Sequence, residues 1–193
     1  MNTADAPLHD LTGQLLIAMP GLADPRFQGS VVLICRHSTE GAMGLILNKP
    51  MTEVTFAAIL SQLDIPQKGG IPDMAICYGG PVDTRRGFVL HSTEYQPDNA
   101  ENLAINDDFA LSATTEILRD IAAGLGPARR FMALGYAGWS AGQLEDEIGE
   151  NSWLTAAAPP DLVFGARITD KWSAALSSLG ISPLTLSSQA GRA

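Results

Sequence analysis

The sequence predicts a single α+β domain built on a mixed, largely antiparallel sheet. The chain has 193 residues, a length at which one hydrophobic core is the default. Short apolar runs rich in β-branched residues recur along it and end at Gly and Pro turns, which is typical of strands with tight connections. Stretches with apolar residues at helical spacing lie between those runs. Because no repeat or linker divides the chain, we treat 1–193 as one domain with frayed ends at 1–10 and 187–193.

In the first half of the chain, three strands precede a helix. Gly13–Ala18 ends at a Pro-Gly pair, and Ser30–His37 and Gly41–Asn48 are close enough to form a hairpin. Pro50 stops the third strand, and Thr52 is predicted to cap a helix that covers one face of the sheet. The apolar stripe of that helix is Val54, Phe56, Ile59, Leu60 and Leu63.

The rest of the chain supplies further strands around polar and glycine-rich connections. A flexible loop at 67–72, a Gly-Gly-Pro turn at 79–81 and an exposed excursion over Ser92–Asn102 separate them. Arg130–Ala137 is the most apolar run and is predicted to be central, whereas Leu103–Ile105 is predicted to be an edge strand. The further strands are Met74–Tyr78, Gly87–His91, Leu103–Ile105, Arg130–Ala137 and Trp153–Ala156.

Three more helices are predicted from capping residues and apolar stripes. Ser112 is placed to cap the second helix, which Gly124 or Gly126 ends. Ser140 and Gln143 have capping-box spacing for the third helix. The stripe of the second helix is Ile117, Leu118, Ile121 and Leu125, that of the third is Leu144 and Ile148, and that of the last is Trp172, Ala175, Leu176 and Leu179.

Charge argues against nucleic acid as a direct partner. Lys and Arg total 12 against 21 Asp and Glu, a net charge of −9, so the average surface repels phosphate backbones and anionic lipid. The doublets Arg85-Arg86 and Arg129-Arg130 lie beside predicted strands, where we interpret them as solvated charges and not as a phosphate site. We expect no direct binding of duplex DNA.

Targeting and cysteine patterns predict a cytoplasmic protein without a membrane segment. Residues 1–10 carry two Asp and no Lys or Arg, and no stretch of 18 uninterrupted apolar residues is present. Cys35 and Cys77 lie in apolar runs, which favours buried, reduced thiols over a redox pair. No C-x-x-C, Walker or dinucleotide motif occurs, so we expect neither a metal nor a cofactor.

The sharpest chemical motif is Gly138–Gly142, which matches the G-x-S-x-G nucleophile elbow between a predicted strand and helix. The hydrolase order needs a histidine after the serine. His9, His37 and His91 all precede it. We therefore interpret Ser140 as a helix cap and keep the hydrolase as the alternative.

Two other candidate sites compete with that motif. The start of the third helix offers free N–H groups to an anion, although the acidic run Glu145–Glu147 opposes one. His37 shares a predicted strand face with Cys35, and together with His91 they would make a Cys/His cluster if the strand ends met. Histidines at strand ends more commonly bond to a turn, so we do not predict a metal site.

Seven sequence blocks carry a resemblance to a known family. They are Met19–Pro25, Glu40–Asn48, Tyr78–Val82, Gly87–His91, Gly135–Trp139, Gly142–Glu145 and Asn151–Trp153. Through them the chain resembles the bacterial AlgH/YqgE family from about Leu11 to Ile181. The resemblance implies an α+β fold with a large, mixed, bent sheet that is partly closed into a barrel and flanked by helices. It also implies transcriptional regulation in alginate production, which is a pathway effect and not a molecular activity.

The matching blocks fall mainly in loops at strand ends, which suggests one glycine-rich binding surface. The alternative is that they are turn glycines and packing residues. The preferred function is a non-enzymatic cytoplasmic regulator or accessory factor that binds a small ligand or a protein partner. The other hypothesis is a hydrolase that uses Ser140 or a Cys/His pair. The candidate surface comprises Pro20, Gly21, His37, Gly79, Gly80, His91, Gly138, Trp139, Ser140 and Gln143.

Overall fold

The computed structural model describes residues 10–67, 74–96, 102–165 and 167–187. The predicted α+β class is confirmed: these residues form a large mixed sheet that curls into a half-barrel flanked by helices. The strands are β1 (Gln14–Ala18), β2 (Val31–Ser38), β3 (Gly41–Ile46), β4 (Pro50–Thr55), β5 (Ala75–Tyr78), β6 (Val82–His91), β7 (Asn102–Ala104), β8 (Ala110–Ser112), β9 (Arg130–Ser140) and β10 (Trp153–Ala157).

Helices flank this sheet and follow its strands closely along the chain. They are α1 (Phe56–Gln62), α2 (Thr115–Ala123), α3 (Gln143–Gly149), α4 (Lys171–Ser178) and α5 (Pro183–Ser187). A π-helical turn at Asp161–Gly165 and a 3-10 turn at Ile168–Asp170 lead into α4. No described helix is long and apolar enough to cross a membrane. Three predicted features fall partly outside the described residues. They are the frayed ends (residues 1–9 and 188–193), the loop at 67–72 (residues 68–72) and the excursion over Ser92–Asn102 (residues 97–101).

The strand order is β10-β1-β2-β3-β9-β6-β8-β7. β9 is central, as predicted: β6 pairs with it along one edge, and β5 and β3 share the other. The β5–β9 pair is parallel, whereas the hairpin of β2 and β3 is antiparallel as predicted. The predicted edge strand is confirmed as β7.

A bulge at Gly135 changes which side chains of β9 face which way. Before it, Phe131 and Ala133 pack into the core beneath α4, while Met132 packs with α1 and α2 on the opposite face. Gly135 has φ +72°, and the register with β6 shifts between Val82 and Gly87. The alternation of β9 breaks at Gly135, so Tyr136 joins the α4 face instead of the opposite face, while the extra residues of this irregularity lie in β6 between Val82 and Gly87. Only glycine adopts this conformation without strain.

The cap predicted at Thr52 is wrong. Thr52 lies in β4, and the helix begins after Thr55, whose Oγ1 accepts the N–H of Ala58 at 3.1 Å. Because β4 pairs with β5, the backbone stays extended for three residues beyond the predicted cap. Val54 therefore belongs to the strand, and Leu63 at the helix end stays 41% exposed.

The cap predicted at Ser112 is also wrong. Ser112 ends β8, where it is buried opposite Val89, and Thr114 occupies the N-cap position of α2. The predicted stop at Gly124 is confirmed by its left-handed conformation, with φ +78°. Since the helix ends there, Leu125 is 73% exposed and not part of the buried stripe.

Candidate functional site

Several predicted site residues meet where β9 runs into the short helix α3. His37 on β2 has a side chain that is 1% exposed, and its Nδ1 accepts the N–H of Leu11 at 3.1 Å. Nε2 therefore carries the proton and donates to Glu145 Oε1 at 2.8 Å. Both ring nitrogens are used inside the protein.

A second acid of α3 holds two tryptophans. Glu147 Oε2 accepts the indole N–H of Trp139 at 2.9 Å and that of Trp153 at 2.7 Å. Its other oxygen accepts from Gln143 Nε2 at 2.9 Å. The two indole rings pack edge to face, with centroids 6.1 Å apart. We call His37, Trp139, Gln143, Glu145, Glu147 and Trp153 the α3 network.

Ser140 ends β9 and does not cap α3, so the predicted capping box is wrong. The N-cap position is Gly142, in a left-handed conformation with φ +77° and no side-chain cap bond. The bonding is instead reversed: Gln143 Oε1 accepts from both the N–H and the hydroxyl of Ser140, each at 3.1 Å. Pairing of Ser140 with Gly41 keeps the serine in the sheet. Its hydroxyl contacts an amide oxygen and not a base.

Cys35 and His37 do not share a strand face as predicted. The register of β2 with β3 shifts between Ile34 and Arg36. Cys35 consequently packs into the core beneath α4, whereas His37 faces α3 on the other side. Burial raises the pKa of both the Cys35 thiol and the Cys77 thiol to about 12. In the described ranges, no group of three or more His, Cys, Asp and Glu side chains is placed to hold a metal ion.

His91 lies far from the α3 network. It pairs with Arg130 at the start of β9, whereas Trp139 is near the end, a separation of roughly 30 Å along an extended strand. Its Nδ1 is 3.0 Å from the Ser92 carbonyl oxygen and its Nε2 is 2.9 Å from Ser112 Oγ. Burial lowers the pKa of this imidazole. His91 is thus a core histidine with internal partners.

The predicted glycines divide into packing and exposed positions. A Cβ on Gly79 would collide with the carbonyl oxygen of Gly135, and one on Gly80 would collide with the backbone of Tyr136. These two glycines therefore allow the turn before β6 to lie against the bulge of β9. Pro20 and Gly21 are exposed on the loop after β1. The ten predicted residues thus do not form one continuous surface.

An open cavity of about 650 Å³ lies beside the α3 network, where β2, β3, β6 and β9 meet. Gly138 and Trp139 are the predicted site residues that line it. Phe88 and Tyr136 form an aromatic wall, with ring centroids 5.8 Å apart and planes at 78°. We call this space the arginine cavity, because Arg36 and Arg86 line it. The other lining residues are Ser38, Glu40, Gly41, Ala42, Met43, Val82, Leu103, Leu111 and Ala113.

The two arginines give the cavity its charge. The Arg86 guanidinium carbon lies 5.3 Å from the centroid of the Phe88 ring, a cation–π arrangement. Both Arg36 and Arg86 are exposed. Within the described part of the chain, neither forms an ion pair with an acid, although Glu40 also lines the cavity. Two cationic planar groups are therefore available to an anion.

Sequence reasoning missed these arginines. The interpretation of Arg85-Arg86 as solvated charges overlooked the period-two signal that places Arg86 on the same face as Phe88. Arg36 carried no such signal. Only the register shift after Ile34 turns Arg36 toward the cavity.

The protein is an α+β half-barrel whose central strand, β9, has the α3 network on one face and the arginine cavity on the other. The chain belongs to the AlgH-like family DUF179, whose sequence profile matches residues 15–184. A UPF0301 protein of Jannaschia sp. (strain CCS1) is 60% identical, with 96% of each chain covered. A UPF0301 protein of Paracoccus denitrificans is 52% identical over 95% of this chain and 97% of the relative.

Solved structures show the same fold. The solution structure of the AlgH protein from Pseudomonas aeruginosa has a TM-score of 0.76 at 38% identity, covering 99% of this chain and 100% of that one. A crystal structure from Corynebacterium diphtheriae has a TM-score of 0.69 at 23% identity, covering 96% and 92% of the two chains. The resemblance seen in the seven sequence blocks is thereby confirmed.

Proposed function

We propose that this protein is a non-enzymatic cytoplasmic regulator or accessory factor that binds a small, anionic, partly apolar ligand in the arginine cavity. The observation that carries the proposal is the pair of arginines, Arg36 and Arg86, beside the aromatic wall. Guanidinium groups bind carboxylates and phosphates through paired N–H donors. The wall of Phe88 and Tyr136 supports an apolar or aromatic part of the same ligand.

The cavity has the size and setting of a ligand site. About 650 Å³ falls within the range of small-molecule pockets in proteins. The net charge of −9 means that most of the surface repels anions, so a local pair of unneutralised arginines is a specific feature. A regulatory effect on transcription would be indirect for the same reason. Cys35 and Cys77 are free thiols, which suits a reducing compartment.

Binding explains the geometry better than hydrolysis does. A serine nucleophile needs a base within hydrogen-bond reach, and the Ser140 hydroxyl contacts the amide of Gln143. His37 has both nitrogens engaged, with Leu11 and Glu145. A thiolate enzyme needs a lowered thiol pKa, and burial raises the pKa of both cysteines. Neither Ser140 nor either cysteine is therefore prepared as the nucleophile that the alternative hypothesis of a hydrolase needs.

Titration with 8-anilinonaphthalene-1-sulfonate, a fluorescent aromatic anion, tests the proposal. We expect the folded protein to bind one equivalent, with Arg86→Gln weakening binding about tenfold, or about 1.4 kcal/mol. Arg85→Gln is the matched control, because Arg85 is the adjacent residue of β6 and does not line the cavity. Methionine-methyl NMR should show the Met43 signal shifting, since Met43 lines the cavity. Equal effects of the two variants, or an unmoved Met43 signal, would contradict the proposal.

A further inference from the structure

A second cavity, of about 410 Å³, lies on the opposite face of β6, between α1 and α2. We infer that this α1–α2 cavity binds a medium-chain aliphatic carboxylate, with the hydrocarbon chain between the helices and the carboxylate near Arg85 and Thr114. The inference concerns different residues from the arginine cavity and does not depend on the function proposed for it. Apolar side chains dominate the lining: Val54, Ile59, Leu63, Val89, Leu118, Met132 and Leu134.

The apolar part of the cavity is incompletely covered by the protein. Leu63 is 41% exposed, and Ile59 and Leu134 are only half-buried although they pack against the α1–α2 core. Apolar surface that stays accessible in a concave site gains free energy when a hydrocarbon covers it. The lining is aliphatic and contains no aromatic ring, which suits an alkyl chain.

Gly87 keeps space open along the sheet. A Cβ built there would lie 3.2 Å from Met132 Cε and 3.8 Å from Leu134 Cδ2, both of them ends of cavity-lining side chains. Both of these contacts within 4 Å are side-chain atoms, and neither is a backbone atom. A larger side chain at position 87 would therefore project among the residues that line the cavity.

Polar groups that lack partners line the same cavity. Thr114 Oγ1 is buried and has no hydrogen-bond partner among the described residues. Thr114 is the N-cap residue of the nine-residue helix α2, yet its side chain makes no cap bond, so the first-turn N–H groups have no acceptor from it. Arg85 is exposed and forms no ion pair within the described ranges.

A carboxylate matches this set of groups. It accepts hydrogen bonds from backbone N–H groups at a helix start, from a hydroxyl and from a guanidinium. When ionised it is an acceptor only, so it needs no acceptor in the cavity. Glu116 is the acidic residue in the first turn of α2, but it is exposed and does not line the cavity. An uncharged ligand of the same length would fill the apolar part and leave Arg85 without an anion.

The alternation of β6 makes the two cavities separable by experiment. Arg86 and Phe88 line the arginine cavity, whereas Arg85 and Gly87 line the α1–α2 cavity. Met43 reports on the first and Met132 on the second. Adjacent residues and two methionines thus provide matched variants and matched probes.

The experiment is a titration of the full chain, labelled with ¹³C at the methionine methyl groups, with sodium octanoate and, separately, with octanol. We expect octanoate to shift the Met132 signal saturably; binding of the same anion in the arginine cavity would shift the Met43 signal as a separate event. Arg85→Gln should weaken octanoate binding about tenfold without changing octanol binding. Arg86→Gln should leave the Met132 shift with either ligand unchanged, because Arg86 does not line the α1–α2 cavity.

Gly87→Leu supplies the decisive variant, because its side chain occupies the space of the alkyl chain and should abolish the Met132 shift. Ile59→Trp fills the same cavity from α1 and serves if the leucine variant does not fold. The inference is overturned if octanoate leaves Met132 unmoved in the wild type, or shifts Met43 instead. It is equally overturned if Gly87→Leu or Ile59→Trp folds and still binds octanoate like the wild type. The sulfonate titration at Met43 succeeds or fails independently of these outcomes.

Discussion

The two sides of the end of β9 carry opposite kinds of site. On one side, the carboxylates of Glu145 and Glu147 accept hydrogen bonds from His37, Trp139 and other residues of the α3 network. On the other side, the guanidinium groups of the arginine cavity have no acidic partner within the described residues. The histidine, tryptophan and glutamate side chains of the α3 network therefore stabilise the fold, whereas the charges without a partner belong to Arg36 and Arg86 on the other side.

The first prediction concerns the buried cluster that contains Phe88 of the arginine cavity. Cys35 and Cys77 belong to the same buried cluster as Phe88 of the cavity wall. If the arginine cavity has a closed floor, labelling of both thiols by a disulfide reagent at neutral pH should be at least about a thousandfold slower than in unfolded protein. Protein unfolded in urea is the control, and Cys35→Ala separates the two thiols. Rapid labelling in the native state would mean that the cavity opens into the core.

A substitution in the α3 network should cost stability and leave binding alone. Glu147→Leu removes the shared acceptor of Trp139 and Trp153 and leaves two buried indole N–H groups unpaired, at a cost of about 2–5 kcal/mol. Asp146→Leu, at an exposed position in the same helix, should cost less than about 1 kcal/mol. Urea denaturation measures both. The two sides of β9 are coupled, against expectation, if Glu147→Leu also weakens sulfonate binding in the folded protein.

The smallest effects are expected at Ser140. The hydroxyl is exposed and bonds to Gln143, so Ser140→Ala should cost less than about 1 kcal/mol. Ser140→Gly should cost about 0.5–1 kcal/mol more than Ser140→Ala, because glycine is unfavourable in a strand. A true helix cap would give the reverse order. A fluorophosphonate probe should not label the wild type; stoichiometric labelling that is lost in the alanine variant would promote the hydrolase.

The sequence predicted the strands better than the helix starts. Arg130–Ala137 is apolar on both faces, which is what a central strand requires, and it forms most of β9. Thr52, Ser112 and Ser140 each carry a hydroxyl beside a helix and were predicted as caps, yet all three end or occupy strands. A hydroxyl residue suits both a cap and an extended strand. Only the pairing with a neighbouring strand decides between them, and pairing is not local information.

The candidate site was less predictable, because two register shifts decide it. The shift after Ile34 turns Arg36 and His37 to faces opposite to those that alternation predicts, and the bulge at Gly135 does the same for Tyr136. Gly138 and Trp139 were predicted because they belong to a recognisable sequence block. Arg86 followed the ordinary alternation from Phe88 and was predictable in principle.

The position of β9 has a consequence for synthesis. Its partners β3, β5 and β6 all precede it in the chain, and β1 finds its outer neighbour only in β10. A nascent chain that has emerged only as far as residue 129 therefore carries three strands without the one that joins them. Such unpaired edges are open to association with other chains, and topologies that pair distant segments fold slowly. The half-barrel can therefore form only after β9 and β10 have left the ribosome, and until then the unpaired strand edges are exposed to aggregation and to chaperones.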